Sequence, residues 1–117
     1  MGGDREPRRE DRIFSSFADD PEMRELIGYF VEDLPQRTRS LEEAWEAADL
    51  GSLRRIAHQL KGAAGGYGFD SIGQAAGELE ACARDAPAGE DRVRSIECQV
   101  RRLIDLCSRA AADMRAD

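Results

Sequence analysis

The chain has 117 residues, with 35% charged and 41% hydrophobic side chains and a formal net charge of −7. This length suits one domain and leaves no room for a second hydrophobic core. The negative charge argues against nucleic acid as the main partner, and no apolar run approaches the roughly 20 residues that a membrane-spanning helix needs.

The N-terminal segment, residues 1–11, is rich in glycine, arginine and glutamate and is predicted to be a disordered tail. It lacks the apolar core of a signal peptide, so we expect a cytoplasmic protein. The folded domain is predicted over residues 12–117. It begins with the apolar residues Ile13, Phe14 and Phe17, which are enough for a short N-terminal helix that closes one end of the fold.

Apolar residues at helical spacing predict four amphipathic helices after this cluster. The first has Asp20 as its N-cap and Pro21 at its first position, and its apolar stripe keeps its phase across Pro35. Proline usually interrupts a helix, but the unbroken phase predicts one long, kinked helix at about 21–48.

Three further stretches carry the same helical spacing. They run over residues 53–67, 70–85 and 93–114. Short connections between long amphipathic helices force neighbouring helices to be antiparallel. We therefore predict an all-α fold, an antiparallel up-down-up-down four-helix bundle, and the complete apolar stripes suggest a monomer.

Cysteine and nucleotide motifs restrict the chemistry. Cys82, Cys98 and Cys107 form no CxxC pair and are interpreted as small buried hydrophobic residues. One histidine and scattered thiols do not make a standard metal site through local spacing, so no metal or other cofactor is expected. The chain has no G-x-x-x-x-G-K-[ST] loop, so we expect no ATP-dependent kinase or ATPase activity of its own.

His58 is the only histidine and lies on the second predicted helix. Steps of about 100° per residue from Leu53 place the core positions of this helix within a sector of roughly 100°. His58 falls at about 140°, outside that sector, and is predicted to face solvent. A harmless surface histidine is the alternative, and helical phase alone does not exclude it.

Three neighbours of His58 favour a functional role. Lys61 is the only lysine among 17 basic residues, and a compact ammonium can follow a moving phosphoryl group as a point charge. Gly62 lies in mid-helix, where glycine costs about 1 kcal/mol relative to alanine, so a need for bare backbone beside the histidine is indicated. Gly65 extends this clearing, although a fraying helix end explains it equally well.

Arg54 and Arg55 form a basic patch with Lys61 on an otherwise acidic protein. A solvated helix face is the simpler interpretation of such a patch. The functional interpretation is that it attracts an acidic pocket on a partner and speeds encounter.

The topology of the chain is expected to bring Glu80 close to His58. The turn between the second and third helices centres near Phe69, with His58 eleven residues before it and Glu80 eleven after it. An antiparallel hairpin brings the two side chains level, so the carboxylate can accept from one imidazole nitrogen and leave the other as a nucleophile. A plain surface glutamate is the alternative.

The sequence HQLKGAAGGYGF at residues 58–69 resembles the H-x-x-K-G signature of histidine phosphotransfer (HPt) domains, including a glycine-containing helix end. The likeness extends over about residues 21–84, and it implies a phosphorylated His58. By the same resemblance, Lys61 supports the phosphoryl group and Gly62 gives access to it. Glu80 matches a Gln or Glu that holds the histidine in some members.

The resemblance also implies the function and the partners. An HPt protein carries its phosphoryl group between the receiver-domain aspartates of response regulators in a multistep two-component phosphorelay, and a hybrid histidine kinase is a further candidate partner. The receiver is expected to bring the Mg²⁺. Tyr67, Phe69 and the apolar residues at 13–17 are candidates for the docking surface, although core or end positions are the simpler interpretation.

Two other functions remain open on the sequence alone. A helical interaction module would bind and regulate a receiver or histidine kinase, with His58 incidental. A hydrolytic or metal enzyme is disfavoured, because no serine or cysteine nucleophile and no spaced ligand cluster accompany the lone histidine.

Overall fold

A computed structural model describes residues 12–85 and 90–111, without the side chains of 90–93. The predicted tail at 1–11 lies outside the described residues, and so do residues 86–89 of the connection predicted between the third and fourth helices.

Four helices make up most of the described chain, which confirms the all-α prediction. They are α1 (Pro21–Glu46), α2 (Leu50–Gly66), α3 (Asp70–Asp85) and α4 (Glu90–Ser108). Helix α1 packs against α2 and α4, and α3 packs against α2 and α4, so the four surround one core. None of the described helices is long and apolar enough to cross a membrane.

Helix α1 begins and continues as its sequence predicts. The Asp20 side chain accepts a hydrogen bond from the backbone N–H of Glu22 (2.9 Å), and Pro21 occupies the first turn. The helix passes through Pro35 without a break, since its buried face keeps one stripe on both sides of the proline. It ends at Glu46, and Ala48 adopts a left-handed φ of 55° in the turn to α2.

The predicted short N-terminal helix is wrong. Ile13 and Phe14 form a two-residue strand, β1, which pairs in parallel with a second strand, β2 (Ala110–Ala111), immediately after α4. Pairing with a partner strand satisfies backbone groups that a one- or two-turn helix would leave without hydrogen bonds. Helix α4 ends at Ser108, directly before β2, although the last helical stretch was predicted to run to residue 114. Residues 112–114 lie outside the described residues.

Large apolar side chains from all four helices are fully buried in the core. They include Ile27, Leu34, Leu41, Leu53, Leu60, Ile72, Leu79, Ile96 and Leu103. Phe69, between α2 and α3, is also fully buried, and its ring stacks on Phe30 with centroids 5.5 Å apart. Phe69 therefore belongs to the core and is not a docking residue.

The cysteines are only partly as predicted. Cys107 is buried, and burial raises the pKa of its thiol to about 12. Cys82 is partly buried, whereas Cys98 is exposed, which contradicts its prediction as a core residue. The reason is helical phase: Cys98 is two residues, or about 200°, from both Ile96 and Val100, which face the core.

Candidate functional site

His58 stands on the outer surface of α2. Its side chain is 69% exposed, whereas Ala57 and Leu60 on either side of it are fully buried. The helical period separates these positions, because His58 is about 100° around the helix from Ala57 and about 160° from Leu60, which share one face. The imidazole is therefore open to a partner molecule.

Glu80 reaches His58 from the neighbouring helix α3. Its Oε2 lies 2.9 Å from His58 Nδ1, and its side chain is only 20% exposed. An ionised carboxylate only accepts hydrogen bonds, so a neutral imidazole in this contact carries its proton on Nδ1. Nε2 then keeps a lone pair, which is the requirement for a nucleophile.

Lys61 contacts the same carboxylate through its other oxygen. The Lys61 Nζ lies 3.8 Å from Glu80 Oε1, at the long end of an ion pair, and the side chain is 54% exposed. Such half-exposed pairs contribute at most about 1 kcal/mol. The ammonium can therefore exchange Glu80 for a new anion near His58 at little cost.

Gly73 on α3 allows the two helices to approach closely enough for these contacts. A Cβ on Gly73 would lie 3.4 Å from the carbonyl oxygen of Lys61 and 3.5 Å from the backbone nitrogen of Gly65, so α2 and α3 approach backbone to backbone here. Gly73 pairs with Gly65 and Glu80 with His58, so contacts run in opposite order along the two helices. Sequence reasoning missed Gly73, although its small size was the available signal.

The glycines of the H-x-x-K-G segment fall into two groups. A Cβ on Gly62, Gly65 or Gly66 would meet no atom within 4 Å, so packing inside the protein requires none of the three. Gly68 differs, because its φ is +84° and a Cβ there would lie 2.4 Å from the Ser15 hydroxyl oxygen. Its conformation and its close approach to the N-terminal segment both require glycine.

The predicted docking residues have unequal surroundings. Arg54 and Arg55 are exposed, and Arg55 donates a long hydrogen bond of 3.4 Å to the Ser52 hydroxyl. Tyr67 is partly buried, with its ring centroid 5.2 Å from that of Phe30. The arginines are thus open to a partner, whereas much of Tyr67 belongs to the core.

A further basic residue, Arg84, was missed by the sequence reasoning. Its pKa is raised by hydrogen bonding to Asp85 and, to a smaller extent, by the nearby Glu80 carboxylate. The pKa of Asp85 is lowered chiefly by that hydrogen bond, with a smaller effect of Arg54 across the α2–α3 contact. Basic groups from both helices therefore lie on the side of His58 that faces the ends Leu50 and Asp85.

Comparison with known proteins gives one family. The family model of the Hpt domain matches residues 25–113, a range that includes His58, Lys61 and Glu80. Curated proteins and solved structures yield no significant match. Within the described part of the chain, no three His, Cys, Asp or Glu side chains converge in a way that would hold a metal ion.

Proposed function

Since the chain belongs to the Hpt domain family, we propose that it carries a phosphoryl group on His58 between receiver-domain aspartates of a multistep phosphorelay. Histidine phosphotransfer in phosphorelays is the general activity of this family, whose members interact with receiver domains and histidine kinases. The observation that carries the proposal is the 2.9 Å contact of Glu80 with His58 Nδ1, because it leaves Nε2 free on an exposed ring.

Each step of the transfer has a group to support it. The Nε2 lone pair of His58 attacks the phosphorus of an aspartyl phosphate, the P–O bond breaks, and the electron pair leaves with the aspartate carboxylate. The ring becomes an N-phosphoimidazolium that keeps its Nδ1 proton, and the Glu80 carboxylate offsets its positive charge. Lys61 neutralises the phosphoryl oxygens, as a loose transition state requires. In donation to the next receiver, an aspartate carboxylate oxygen attacks phosphorus and forms a P–O bond, while the N–P bond breaks and its electrons return to Nε2.

The chain needs no cofactor of its own in this mechanism, and the Mg²⁺ enters with the receiver. Gly62 and Gly65 provide bare backbone for close approach, and Arg54 and Arg55 attract the acidic receiver pocket. Tyr67 contributes the exposed part of its ring to docking. We expect neither ATP-dependent autophosphorylation nor ATP hydrolysis.

The proposal includes an up-down-up-down arrangement of the four helices. Two observations support it: the opposite order of the α2–α3 contacts, and the contact of Phe30 in α1 with Tyr67 at the end of α2. Short connections favour the same arrangement for the remaining neighbours. We further propose that the protein acts as a cytoplasmic monomer that binds neither nucleic acid nor membranes.

The direct test is transfer from phosphorylated receiver domains, with phosphoramidate as a small donor in parallel. In the latter reaction Nε2 attacks phosphorus, the P–N bond breaks and ammonia leaves. We expect an acid-labile, alkali-stable label that mass spectrometry locates at His58. A protein that binds a receiver tightly but takes a label from neither kind of donor would contradict the relay function.

Glu80 variants test the orientation of the ring. Glu80→Ala is expected to slow transfer from both kinds of donor about tenfold, a change of ~1.4 kcal/mol in the barrier, because nothing then fixes the proton on Nδ1. Glu80→Gln keeps an acceptor oxygen but loses the charge, so its rate should lie between. An unchanged rate in Glu80→Ala would show that this carboxylate does not orient His58.

Gly62→Leu separates docking from chemistry. A Cβ at the exposed position 62 meets no atom within 4 Å, so we expect the fold to be retained, while the leucine side chain occupies the surface beside His58 that a receiver must approach. We expect transfer from receivers to fall about tenfold and transfer from phosphoramidate to change less than about twofold. Equal slowing with both donors would place the effect of Gly62 in the chemistry and not in docking.

A further inference from the structure

The Lys61 side chain reaches Glu80 by crossing a position on α3 that has no side chain. A Cβ on Gly77 would lie 3.3 Å from Lys61 Cδ, 3.7 Å from Cε and 3.9 Å from Cγ. These three successive carbons are the nearest atoms to that point, so the stem of Lys61 lies across the bare backbone of Gly77. Beyond it, the Nζ lies 3.8 Å from Glu80 Oε1.

The residues of the site on α2 and α3 form two matched pairs. His58 and Lys61 are three residues apart on α2, and Gly77 and Glu80 are three residues apart on α3, so each pair shares one helix face. Glu80 lies beside His58 and Gly77 beside Lys61. A half-exposed lysine has many rotamers available to it, and the one observed lies over Gly77 and brings the ammonium to the carboxylate that also contacts His58.

Helix packing does not account for a glycine at this position. At Gly73, one turn earlier, an added Cβ would meet backbone atoms of α2, so close packing of the helices explains that glycine. At Gly77 it would meet only carbons of a flexible side chain among its nearest neighbours. Alanine would also be the better residue inside a helix, so the glycine opposes the helix's own preference.

We propose that Gly77 is a positioning residue for phosphotransfer, which directs the Lys61 ammonium to the phosphoryl group on His58. This inference rests on the proposed function and extends it to a residue on the opposite helix. An added side chain at position 77 moves the stem of Lys61 away from α3, and the ammonium moves away from Glu80 and His58. Transfer slows although the helix becomes more stable.

The experiment uses Gly77→Ala and Gly77→Leu in the full chain, with Gly28→Ala as the matched control. Gly28 is a glycine inside α1 at which a Cβ would meet nothing within 4 Å. Transfer from phosphoramidate and from a receiver is measured together with Tm. We expect both alanine variants to raise Tm, and only the Gly77 variants to slow transfer, about threefold for alanine and about tenfold for leucine.

A Lys61→Ala background distinguishes positioning from a structural effect. If Gly77 acts through Lys61, its substitutions no longer change the rate once the lysine is absent. Slowing that persists in that background would overturn the inference, as would unchanged rates in Gly77→Leu while the protein still takes its label on His58. In the latter result the relay function stands. Failure of the unmodified protein to take any label would instead overturn the proposed function, and the inference with it.

Discussion

A variant in which His58 and Gln59 exchange places is expected to accept no phosphoryl group, although its composition is unchanged. Both positions are exposed, so the exchange leaves the core intact and the free energy of unfolding within about 0.5 kcal/mol. The imidazole moves about 100° around α2, away from α3, and loses the Glu80 contact. Loss of the nucleophile from position 58 should reduce labelling by at least about 10³-fold, to background.

The measurement is label incorporation from phosphoramidate and from receivers, beside His58→Gln and the unmodified protein. His58→Gln alone shows whether the histidine is needed, and the exchange shows whether its place beside Glu80 and Lys61 is needed. Full labelling of the exchanged protein would mean that any exposed imidazole on this helix is sufficient. If His58→Gln instead kept all signalling output in cells, the protein would be an interaction module and His58 a surface residue.

The helices could be predicted because each carries its core residues at a local, regular spacing. The continuity of α1 through Pro35 followed from phase alone, since the buried face on both sides of the proline is one stripe. The β1–β2 pairing could not be predicted, because it joins residues almost 100 positions apart and a few apolar residues fit a helix or a strand equally well. Cys98 was predictable from its phase, and its prediction as a core residue neglected that phase.

The candidate site also has some features that could be predicted from sequence and others that could not. The exposure of His58 follows from its angle on the helix. The position of Glu80 opposite His58 follows from counting residues on either side of the turn, so both could be predicted from local sequence. The approach of α2 to α3 and the path of Lys61 over Gly77 depend on which small residues face each other across a helix contact. A periodic pattern shows which face is buried but not how closely two buried faces approach.

The glycines near His58 show this limit most clearly. Gly65 and Gly68 are three residues apart in a single glycine-rich run. From sequence, Gly65 fits either a functional clearing or a fraying helix end, and nothing in the pattern gives Gly68 a different surrounding. In the structure Gly65 is helical and open to solvent, whereas Gly68 has φ +84° and lies beneath the N-terminal segment. The Ser16 N–H donates to the Gly68 carbonyl (2.9 Å), and the buried Ser15 hydroxyl donates to that of Tyr67 (2.5 Å).

The same substitution at these two glycines is therefore expected to change stability in opposite directions. Gly68→Ala places a Cβ in a left-handed backbone conformation and against the Ser15 hydroxyl, Ser16 hydroxyl and Phe17 ring, at 2.4 to 2.9 Å. Strain and steric overlap together should lower the free energy of unfolding by about 2–4 kcal/mol. Gly65→Ala adds a methyl group in open space within a helix and should raise it by up to about 1 kcal/mol.

Urea unfolding followed by circular dichroism measures both changes. Removal of the segment that packs on Gly68 distinguishes the two causes of its destabilisation: in a protein that lacks residues 1–17, the overlap is gone and only the left-handed conformation remains. Gly68→Ala should then cost about 1–2 kcal/mol, less than in the full chain. An equal loss in both backgrounds would mean that the N-terminal segment does not restrict this turn. A gain on Gly68→Ala in the full chain would contradict the left-handed conformation itself, and with it the way in which α2, the helix of His58, ends.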